Sequence, residues 1–266
     1  MNKMRLNLIQ GGFQHQLGSA KYVNPQDVEW VKDLSAEVSV HIDHGIFNFT
    51  LPKIKYGWIL EADIVIPQVI AEFTKYYDRI SPNYEAIFTH DKRLLQLGDK
   101  MKFVINAVPW VVERKIYPKT KLVSMIASNK GYERQKWIKK FSSVVDMYGH
   151  GSNPINRKED GLKDYMFSFA MENSVYDYNI TEKITDCFAT GTIPIYFGTP
   201  NIGKYFNTDG VIVLNDNFSL DMLTPELYAS KMDAINDNFE RTNKLLVPED
   251  YMYLNYFNRH NSQINS

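Results

Sequence analysis

Charged side chains stand at predicted helix starts in the second half of the chain. Glu182 and Lys183 follow Thr181, at the start of a helix predicted over 181–190. The amino end of a helix carries partial positive charge and unpaired N–H groups, so a lysine is unfavourable there unless an anion binds beside it. Arg134 repeats this pattern, and its planar guanidinium suits phosphate oxygens. These residues predict a site for a phosphate-bearing ligand.

Each of these charges also has a simpler explanation, which the residues alone leave open. Lys183 fits a solvated lysine in a first helical turn. Glu182 lies three residues after Asn179, which is the spacing of a capping box. Arg134 fits a surface ion pair with Glu133 or with another neighbouring acid.

Polar residues end the predicted strand that precedes the Thr181 helix. Asn173 and Ser174 have side chains that can donate hydrogen bonds to a sugar or ribose, and Glu172 can accept from ribose hydroxyls. Asn and Ser are also ordinary turn formers, so that interpretation is equally good for both residues.

Strands and helices alternate along both halves of the chain, which predicts an α/β protein with parallel sheets and helices on both faces. Such sheets bind ligands beyond the carboxyl ends of their strands, and two facing sheets leave a cleft between them. The predicted strands are 4–10, 38–42, 56–60, 86–89, 103–105, 122–127, 144–148, 167–171, 193–196 and 211–214. The predicted helices are 28–34, 67–77, 91–97, 132–141, 162–166, 181–190, 220–244 and 248–256.

The alternation breaks between Pro109 and Pro118, which makes this stretch the best linker candidate. We therefore predict an N-terminal domain over 1–115 and a second domain over 116–245. Residues 246–266 form a C-terminal helical segment expected to pack back on the first domain.

Composition limits the classes of function. The chain has 266 residues, 44% hydrophobic and 23% charged, with a formal net charge of −1. Such values are typical of a folded globular protein and argue against nucleic acid as a partner. Cys187 is the single cysteine, and no apolar run approaches the roughly 20 residues that a membrane helix needs. We expect a soluble cytoplasmic protein with no transmembrane segment.

Common catalytic signatures are missing from the sequence. There is no P-loop, no GxGxxG after the first strand, no GxSxG elbow and no His or Cys cluster with metal-ligand spacing. An Asp-x-Asp pair, which metal-dependent nucleotide-sugar enzymes use to hold a divalent cation, is also absent.

In combination, several motifs between Lys121 and Phe206 resemble glycosyltransferase family 10, the α-1,3/α-1,4-fucosyltransferases. They are Lys121-Leu122-Val123-Ser124, Ser128-Asn129, Arg134, Phe169-Ala170-Met171-Glu172-Asn173-Ser174, Tyr178, Thr181-Glu182-Lys183 and Thr192-Ile193-Pro194-Ile195-Tyr196-Phe197-Gly198.

This resemblance implies a GT-B architecture, in which two Rossmann-like domains face a cleft and the second holds most of the nucleotide sugar. It implies GDP-fucose as donor, inversion at the anomeric carbon, and no required cofactor or divalent metal. Arg134 and Lys183 match residues that meet the diphosphate, and Glu182 matches a donor-binding residue.

Three further positions are assigned to the donor by the resemblance. Asn173 and Ser174 match the family's Glu-Asn-Ser/Thr, and Tyr178 is expected to reach the donor. The sequence departs from the family at Asn179, where an aromatic residue is usual and Tyr178 stands one position earlier.

The family's catalytic base is a glutamate in the N-terminal half. Glu61 is the candidate, because it follows the predicted strand 56–60 at its carboxyl end. A structural role for Glu61 stays open. The predicted partners are a GDP-sugar donor and an oligosaccharide or glycoconjugate acceptor. Where a membrane carries the acceptor, we expect the protein to work at the surface of that membrane. Two alternatives remain: transfer from another GDP-sugar, and a non-catalytic nucleotide-sugar or carbohydrate-binding protein on the same fold.

Overall fold

The structure is a computed structural model that describes residues 3–9, 18–33, 35–49, 54–127, 133–149 and 152–258. These residues form two compact units. Unit 1 contains the described parts of 1–106 and 246–266, and unit 2 contains those of 107–245.

Unit 1 is built on a parallel sheet with the strand order β2-β1-β3-β4-β5-β6. Its strands are β1 (Met4–Ile9), β2 (Val28–Val31), β3 (Val38–Ile42), β4 (Ile54–Ile59), β5 (Ala86–Thr89) and β6 (Met101–Phe103). Its helices are α1 (Pro67–Lys75), α2 (Tyr77–Ile80) and α3 (Lys92–Leu95). Every residue of β3 is buried, as expected for a parallel strand covered on both faces.

The C-terminal segment belongs to the core of unit 1. It consists of helix α8 (Pro248–Met252) followed by a π-helical turn, Tyr253–Phe257. Met252 and Phe257 are fully buried in one cluster with side chains of β1, β3, β4 and β5. The buried carboxylate of Glu249 accepts from the backbone N–H and hydroxyl of Ser19, at 2.6 and 2.7 Å. Apolar packing and buried hydrogen bonds both hold the segment in place.

Unit 2 contains a second parallel sheet, with the order β11-β10-β9-β7-β8. Its strands are β7 (Lys121–Ile126), β8 (Asp146–Tyr148), β9 (Tyr165–Met171), β10 (Ile193–Phe197) and β11 (Ile212–Val213). Its helices are α4 (Gln135–Phe141), α5 (Glu182–Ala189), α6 (Pro225–Ser230) and α7 (Met232–Asn243). The two parallel sheets confirm the predicted α/β class.

The strand order of unit 2 reverses direction at β7. From β7 the chain adds β8 on one side and then β9 on the other, so β7 and β9 flank a topological switch point. Parallel sheets bind ligands beyond the carboxyl ends of the two strands at such a point. The fold therefore marks the region that follows β7 and β9 as the place to look for a site.

The chain enters unit 2 earlier than the predicted domain boundary at residue 115. The backbone N–H groups of Trp110 and Val111 donate to the buried carboxylate of Asp186 on α5, at 2.6 and 3.2 Å. The N–H of Lys115 donates to the carbonyl of Ala189 at 2.9 Å. These bonds place residues 107–115 in unit 2.

Three predicted helices differ from the structure. The segment predicted as helix 28–34 contains β2, which pairs with β1 in parallel. In the segment predicted as helix 162–166, β9 already begins at Tyr165. The long helix predicted over 220–244 is divided into α6 and α7, because Pro225 begins α6 and the helical run is interrupted at Lys231.

Candidate active site

A pocket of about 310 Å³ lies within unit 2, beyond the carboxyl ends of β7 and β9. Ala127 directly follows β7 and Met171 ends β9, and both residues line the pocket. The starts of α4 and α5 contribute Arg134, Glu182 and Lys183 to the same lining. The pocket thus occupies the switch point that the strand order marks.

Charged side chains make up much of the pocket wall. Arg134, Lys158, Glu182, Lys183 and Asp186 line it, so three of the predicted site residues come together there. The remaining lining residues are Trp110, Ile126, Ala127, Gly149, Leu162, Ser168, Phe169, Met171 and Cys187.

Helix α5 begins with a different cap from the predicted one. Thr181 is the N-cap residue, and its side chain accepts from the N–H of Lys183 at 3.5 Å. The predicted cap, Asn179, is buried, and its amide donates to the carbonyl of Ser174 at 2.7 Å. Asn179 therefore stabilises the loop before α5. Lys183 lies in the first helical turn, as the sequence predicts.

Glu172 connects the end of β9 to the start of α5. Its side chain is buried, and its two carboxylate oxygens accept from the N–H and the hydroxyl of Thr181, at 2.9 and 2.8 Å. The ammonium of Lys183 donates to the same carboxylate at 3.1 Å. Glu172, predicted to accept from ribose hydroxyls, is instead turned inward and fixes the direction of Lys183.

The ammonium of Lys183 already makes hydrogen bonds within the protein. Its Nζ donates to Glu172 at 3.1 Å and to the hydroxyl of Thr181 at 2.9 Å, and lies 3.8 Å from Glu182 Oε1. Two hydrogen bonds use two of the three N–H groups of an ammonium. The third can serve a ligand in the pocket.

Glu182 is held by two lysines. Its Oε1 lies 3.0 Å from Lys158 Nζ and 3.8 Å from Lys183 Nζ. Burial opposes the charge of Glu182, but the attraction of Lys158 and then of Lys183 outweighs it and lowers its pKa to about 2. Glu182 is therefore an ionised acceptor facing the pocket at neutral pH.

Asp186 lies one helical turn after Glu182 and shares Lys158 with it. Its Oδ2 accepts from Lys158 Nζ at 2.6 Å. Burial raises the pKa of Asp186 to about 6, while the cation of Lys158 opposes this rise. Asp186 stays mostly ionised at neutral pH, and its attraction helps to raise the pKa of Lys158 well above its usual range.

Arg134 occupies the N-cap position of α4 and is buried in the pocket wall. Its Nη1 donates to the carbonyl of Met171 at 3.2 Å, which ties the guanidinium to the end of β9. Ile138 and Phe141 of the same helix are buried, so Arg134 lies on the face that packs inward. Because Arg134 is buried, its position does not fit the solvent-exposed ion pair that the sequence allowed.

Asn173 and Ser174 follow β9 but are not part of the pocket wall. Asn173 is half-buried, whereas Ser174 is buried. Among the described residues the hydroxyl of Ser174 has no hydrogen-bond partner. A buried hydroxyl without a partner is uncommon and is satisfied when a ligand or water binds beside it.

Tyr178 also lies outside the pocket wall. Its backbone is left-handed, with φ of 70°, which is unusual for a bulky residue. Its N–H donates to Thr199 Oγ1 at 3.0 Å, and its hydroxyl accepts from Lys204 Nζ at 3.3 Å. The ring packs edge-on against Tyr205, with 6.5 Å between ring centroids. The strained backbone is held by these contacts.

Glu61 lies in unit 1, two residues after β4, and is exposed. Its backbone N–H donates to Oδ1 of Asp43 at 3.3 Å, and the N–H of Leu60 donates to the same oxygen at 2.8 Å. Asp43 is buried directly after β3 and has a left-handed backbone, with φ of 47°. The carboxyl ends of β3 and β4 therefore hold two neighbouring acids.

Sequence reasoning missed Lys158, Asp186 and Trp110 as pocket residues. Lys158 lies in a 3₁₀ turn before β9, far from α5 in sequence. Its neighbours in sequence form no motif that would predict a place in the pocket. Asp186 could have been predicted from its spacing. It follows Glu182 by four residues, and positions four residues apart lie on the same face of a helix.

Some expectations reach beyond what the structure describes. Ser128 and Asn129, part of the family resemblance, lie outside the described residues. Within the described ranges, no group of three or more His, Cys, Asp or Glu side chains could hold a metal ion. No helix in those ranges has the length and apolar character needed to cross a membrane.

A sequence model described as "Glycosyltransferase family 10 (fucosyltransferase) C-term" matches residues 116–262, which is more than half of the chain. The match includes the whole of the pocket's charged wall.

Individual relatives carry related names. The chain is 33% identical over 101 residues to an alpha-(1,3)-fucosyltransferase of Helicobacter pylori, covering 35% of this chain and 21% of that protein. It is 27% identical over 200 residues to GDP-fucose protein O-fucosyltransferase 3 of Bos taurus, covering 67% of this chain and 39% of the relative. The chain thus spans well under half the length of these two relatives.

Solved structures share the fold. One crystal structure of an alpha1,3-fucosyltransferase aligns with a TM-score of 0.56 at 14% identity, covering 99% of this chain and 90% of the other. A second, with GDP, aligns with a TM-score of 0.50 at 15% identity, covering 91% and 82%. At such identity the likeness concerns the fold, which is of the GT-B type.

Proposed function

The chain belongs to glycosyltransferase family 10, and from this membership and the pocket of unit 2 we propose that it transfers fucose from GDP-fucose to a hydroxyl of a glycan acceptor, with inversion at the anomeric carbon. The observation that carries the proposal is the pocket at the switch point of unit 2. Arg134 and Lys183 line it at the starts of two helices, a location that favours anions.

In this proposal the pocket holds the donor's nucleotide. Arg134 and Lys183 bind the diphosphate, and the ionised carboxylate of Glu182 accepts from donor hydroxyls. Asn173, Ser174 and Tyr178 are the remaining donor-binding residues, and the unpartnered hydroxyl of Ser174 supports its inclusion.

The proposed reaction needs a base and a stabilised leaving group. Glu61 takes the proton of the acceptor hydroxyl as its oxygen attacks the anomeric carbon of fucose. The bond from that carbon to the phosphate oxygen breaks, and GDP leaves with the electron pair. General-base catalysis contributes about 10²–10⁴-fold. Arg134 and Lys183 stabilise the charge that grows on the diphosphate.

A divalent metal is not part of this proposal. The two cations are assigned the electrostatic role that a metal ion has in other glycosyltransferases. Independence from metals is a prediction, which transfer assays with added EDTA and with Mg²⁺ or Mn²⁺ will test.

The nucleotide assignment is tested by thermal-shift titration with GDP, UDP, ADP and CMP. We expect GDP to raise the unfolding temperature most, because a ligand stabilises the state that binds it. Lys183→Ala and Arg134→Ala should each weaken GDP binding by about 10- to 100-fold, since a charged hydrogen bond contributes about 1.5–3 kcal/mol. Lys139→Ala, at an exposed position of α4, is the matched control. A preference for UDP, or near-normal GDP binding by both variants, contradicts the assignment.

Catalysis is tested separately from binding. Glu61→Gln should leave GDP-fucose affinity near the wild-type value and slow transfer to a panel of oligosaccharide acceptors by about 10²–10⁴-fold. Transfer at near-wild-type rates after this substitution refutes Glu61 as the base. Binding of GDP-fucose without transfer or hydrolysis by the wild type supports the non-catalytic alternative. Competition with other GDP-sugars tests the choice of fucose.

We propose an oligosaccharide or glycoconjugate as the acceptor, and membership of the family supports this choice. The cytoplasmic location, with work at a membrane surface that carries the acceptor, stays a prediction of the sequence.

A further inference from the structure

Lys158 is a cation of the pocket that the proposed reaction leaves without a role. It lies in the 3₁₀ turn Lys158–Gly161 before β9, and its side chain is only 23% exposed. Placing an ammonium in such a position is unfavourable unless it is paired and hydrogen-bonded. The partners of Lys158 therefore indicate what it does.

The ammonium of Lys158 is surrounded by residues of the pocket wall. It lies 3.0 Å from Glu182 Oε1 and 2.6 Å from Asp186 Oδ2, and 4.7 Å above the ring of Trp110. Two of its three N–H groups are used by charged hydrogen bonds to carboxylates, and the face of Trp110 borders the ammonium on a further side. Lys158 is therefore poorly suited to bind a phosphate itself, and its effect on a ligand must pass through its neighbours.

The neighbour that connects Lys158 to the donor is Glu182. Two cations lie within 4 Å of this carboxylate, Lys158 at 3.0 Å and Lys183 at 3.8 Å. Lys183 also pairs with the buried carboxylate of Glu172. If Lys158 is removed, Lys183 remains as the near cation for two carboxylates, and both hold its ammonium away from a ligand.

We propose that Lys158 is a positioning residue for the donor site: by neutralising and orienting Glu182, it leaves an N–H of Lys183 available to the donor diphosphate. This inference rests on the proposed function. It assigns Lys158 no contact with the substrate.

Lys158 also has a structural contact that the experiment must separate from this role. Through Asp186 it supports the segment that enters unit 2, because Asp186 Oδ1 accepts from the N–H of Trp110 at 2.6 Å. Loss of Lys158 alone leaves the buried charge of Asp186 without its cation, which destabilises the unit. Asp186→Asn removes that charge and keeps an oxygen for the Trp110 N–H.

The test compares GDP binding by isothermal titration calorimetry in the full chain. We expect the double variant Lys158→Met/Asp186→Asn to unfold near the wild-type midpoint but to bind GDP about 10-fold or more weakly. Asp186→Asn alone keeps Lys158 on Glu182 and should bind GDP within about threefold of wild type. Lys158→Arg, which keeps a cation between the carboxylates, should restore most of the affinity. Lys163→Met, with an exposed side chain nearby in sequence, is the control for loss of a positive charge.

The outcomes are distinguishable. Wild-type GDP affinity in the stable double variant overturns the positioning role, and leaves Lys158 as a support for Asp186. Failure of the wild type to bind GDP in the same titration overturns the proposed function and the positioning role with it. The positioning role is also overturned if Asp186→Asn alone binds GDP as weakly as the double variant does. The loss of GDP affinity would then be caused by the change at Asp186.

Discussion

Replacing Asp43 by asparagine should stabilise unit 1, and the gain should depend on pH. Asp43 is buried after β3, and burial raises its pKa from 3.8 to about 6, although the N–H groups of Leu60 and Glu61 oppose the rise. An asparagine keeps an oxygen for both N–H groups. It also tolerates the left-handed backbone at this position, where φ is 47°.

The direction of this pH dependence follows from the linkage between protonation and folding. Because the folded-state pKa of Asp43 lies above the unfolded value, the native state binds the proton more tightly. The stability from this proton is fully present below pH 3.8 and is lost as the pH rises through about 6. The difference between the two pKa values corresponds to about 3 kcal/mol, since a tenfold change in a proton equilibrium is about 1.4 kcal/mol.

Asp43→Asn carries no charge at any pH. It should therefore raise the free energy of unfolding of unit 1 by about 2–3 kcal/mol at pH 7.5, but by only about 0.5 kcal/mol at pH 4. Urea titrations followed by hydrogen–deuterium exchange of peptides from β3 and β4 report on the unit that holds Asp43. Equal changes at the two pH values, or destabilisation at pH 7.5, would falsify the reasoning.

Asp33 supplies a control of opposite sign in the same unit. Hydrogen bonds from the hydroxyl and N–H of Ser35 lower the pKa of Asp33 to about 2. The stability this carboxylate contributes is present above pH 3.8 and is lost as the pH falls through about 2. Asp33→Asn should therefore lower stability at pH 7.5, where Asp43→Asn raises it.

Three substitutions in unit 2 have expected effects on its unfolding, each measured by urea titration with hydrogen exchange. Lys119→Met should destabilise it by about 3 kcal/mol, because Nζ lies within hydrogen-bond distance of three backbone carbonyls and one hydroxyl, each of which then has one donor fewer; an unchanged midpoint contradicts this. Glu172→Gln should destabilise it by about 2 kcal/mol, because a buried acceptor of Lys183 loses its charge; retention of wild-type stability shows the pair to be dispensable. Gly191→Ala should destabilise it by about 1–3 kcal/mol, because φ is +70° and a Cβ would meet Ile116 at 2.7 Å; a neutral effect rules out that strain.

The α/β class was predictable because the strands and helices of this fold have local sequence patterns. Each parallel strand is a short apolar run, such as the fully buried Val38–Ile42, and Pro67 marks a helix start that the structure has at the same residue. Segment 28–34 was mispredicted because Val28 and Val31 fit a helical stripe over so short a window. Only the parallel pairing with β1 decides that this segment is a strand.

The candidate site was predictable where function depends on position within one element. Lys183 and Arg134 are unusual because of their places at helix starts, and a helix start can be recognised from sequence. Lys158 was not predictable, because its partners on α5 lie 24 and 28 residues away in sequence. Asn179 and Thr181 both suit a helix cap, and the choice is made by Glu172, which binds Thr181 from the end of β9.

Among the described residues, the charged side chains that line the pocket or pair with its lysines balance one another. Arg134, Lys158 and Lys183 supply three positive charges. Glu172, Glu182 and Asp186 supply three negative ones, each within 4 Å of a lysine. A balanced set creates no strong general field for polyanions, in keeping with a chain whose net charge is −1. In the proposed function, selection of the donor diphosphate then depends on the directions of a few N–H groups. Glu172 and Glu182 help to set the direction of Lys183, and the carbonyl of Met171 helps to set that of Arg134. This is why we assign Glu172 and Glu182, which pair with Lys183, to the proposed anion site, although each of them alone would repel the ligand.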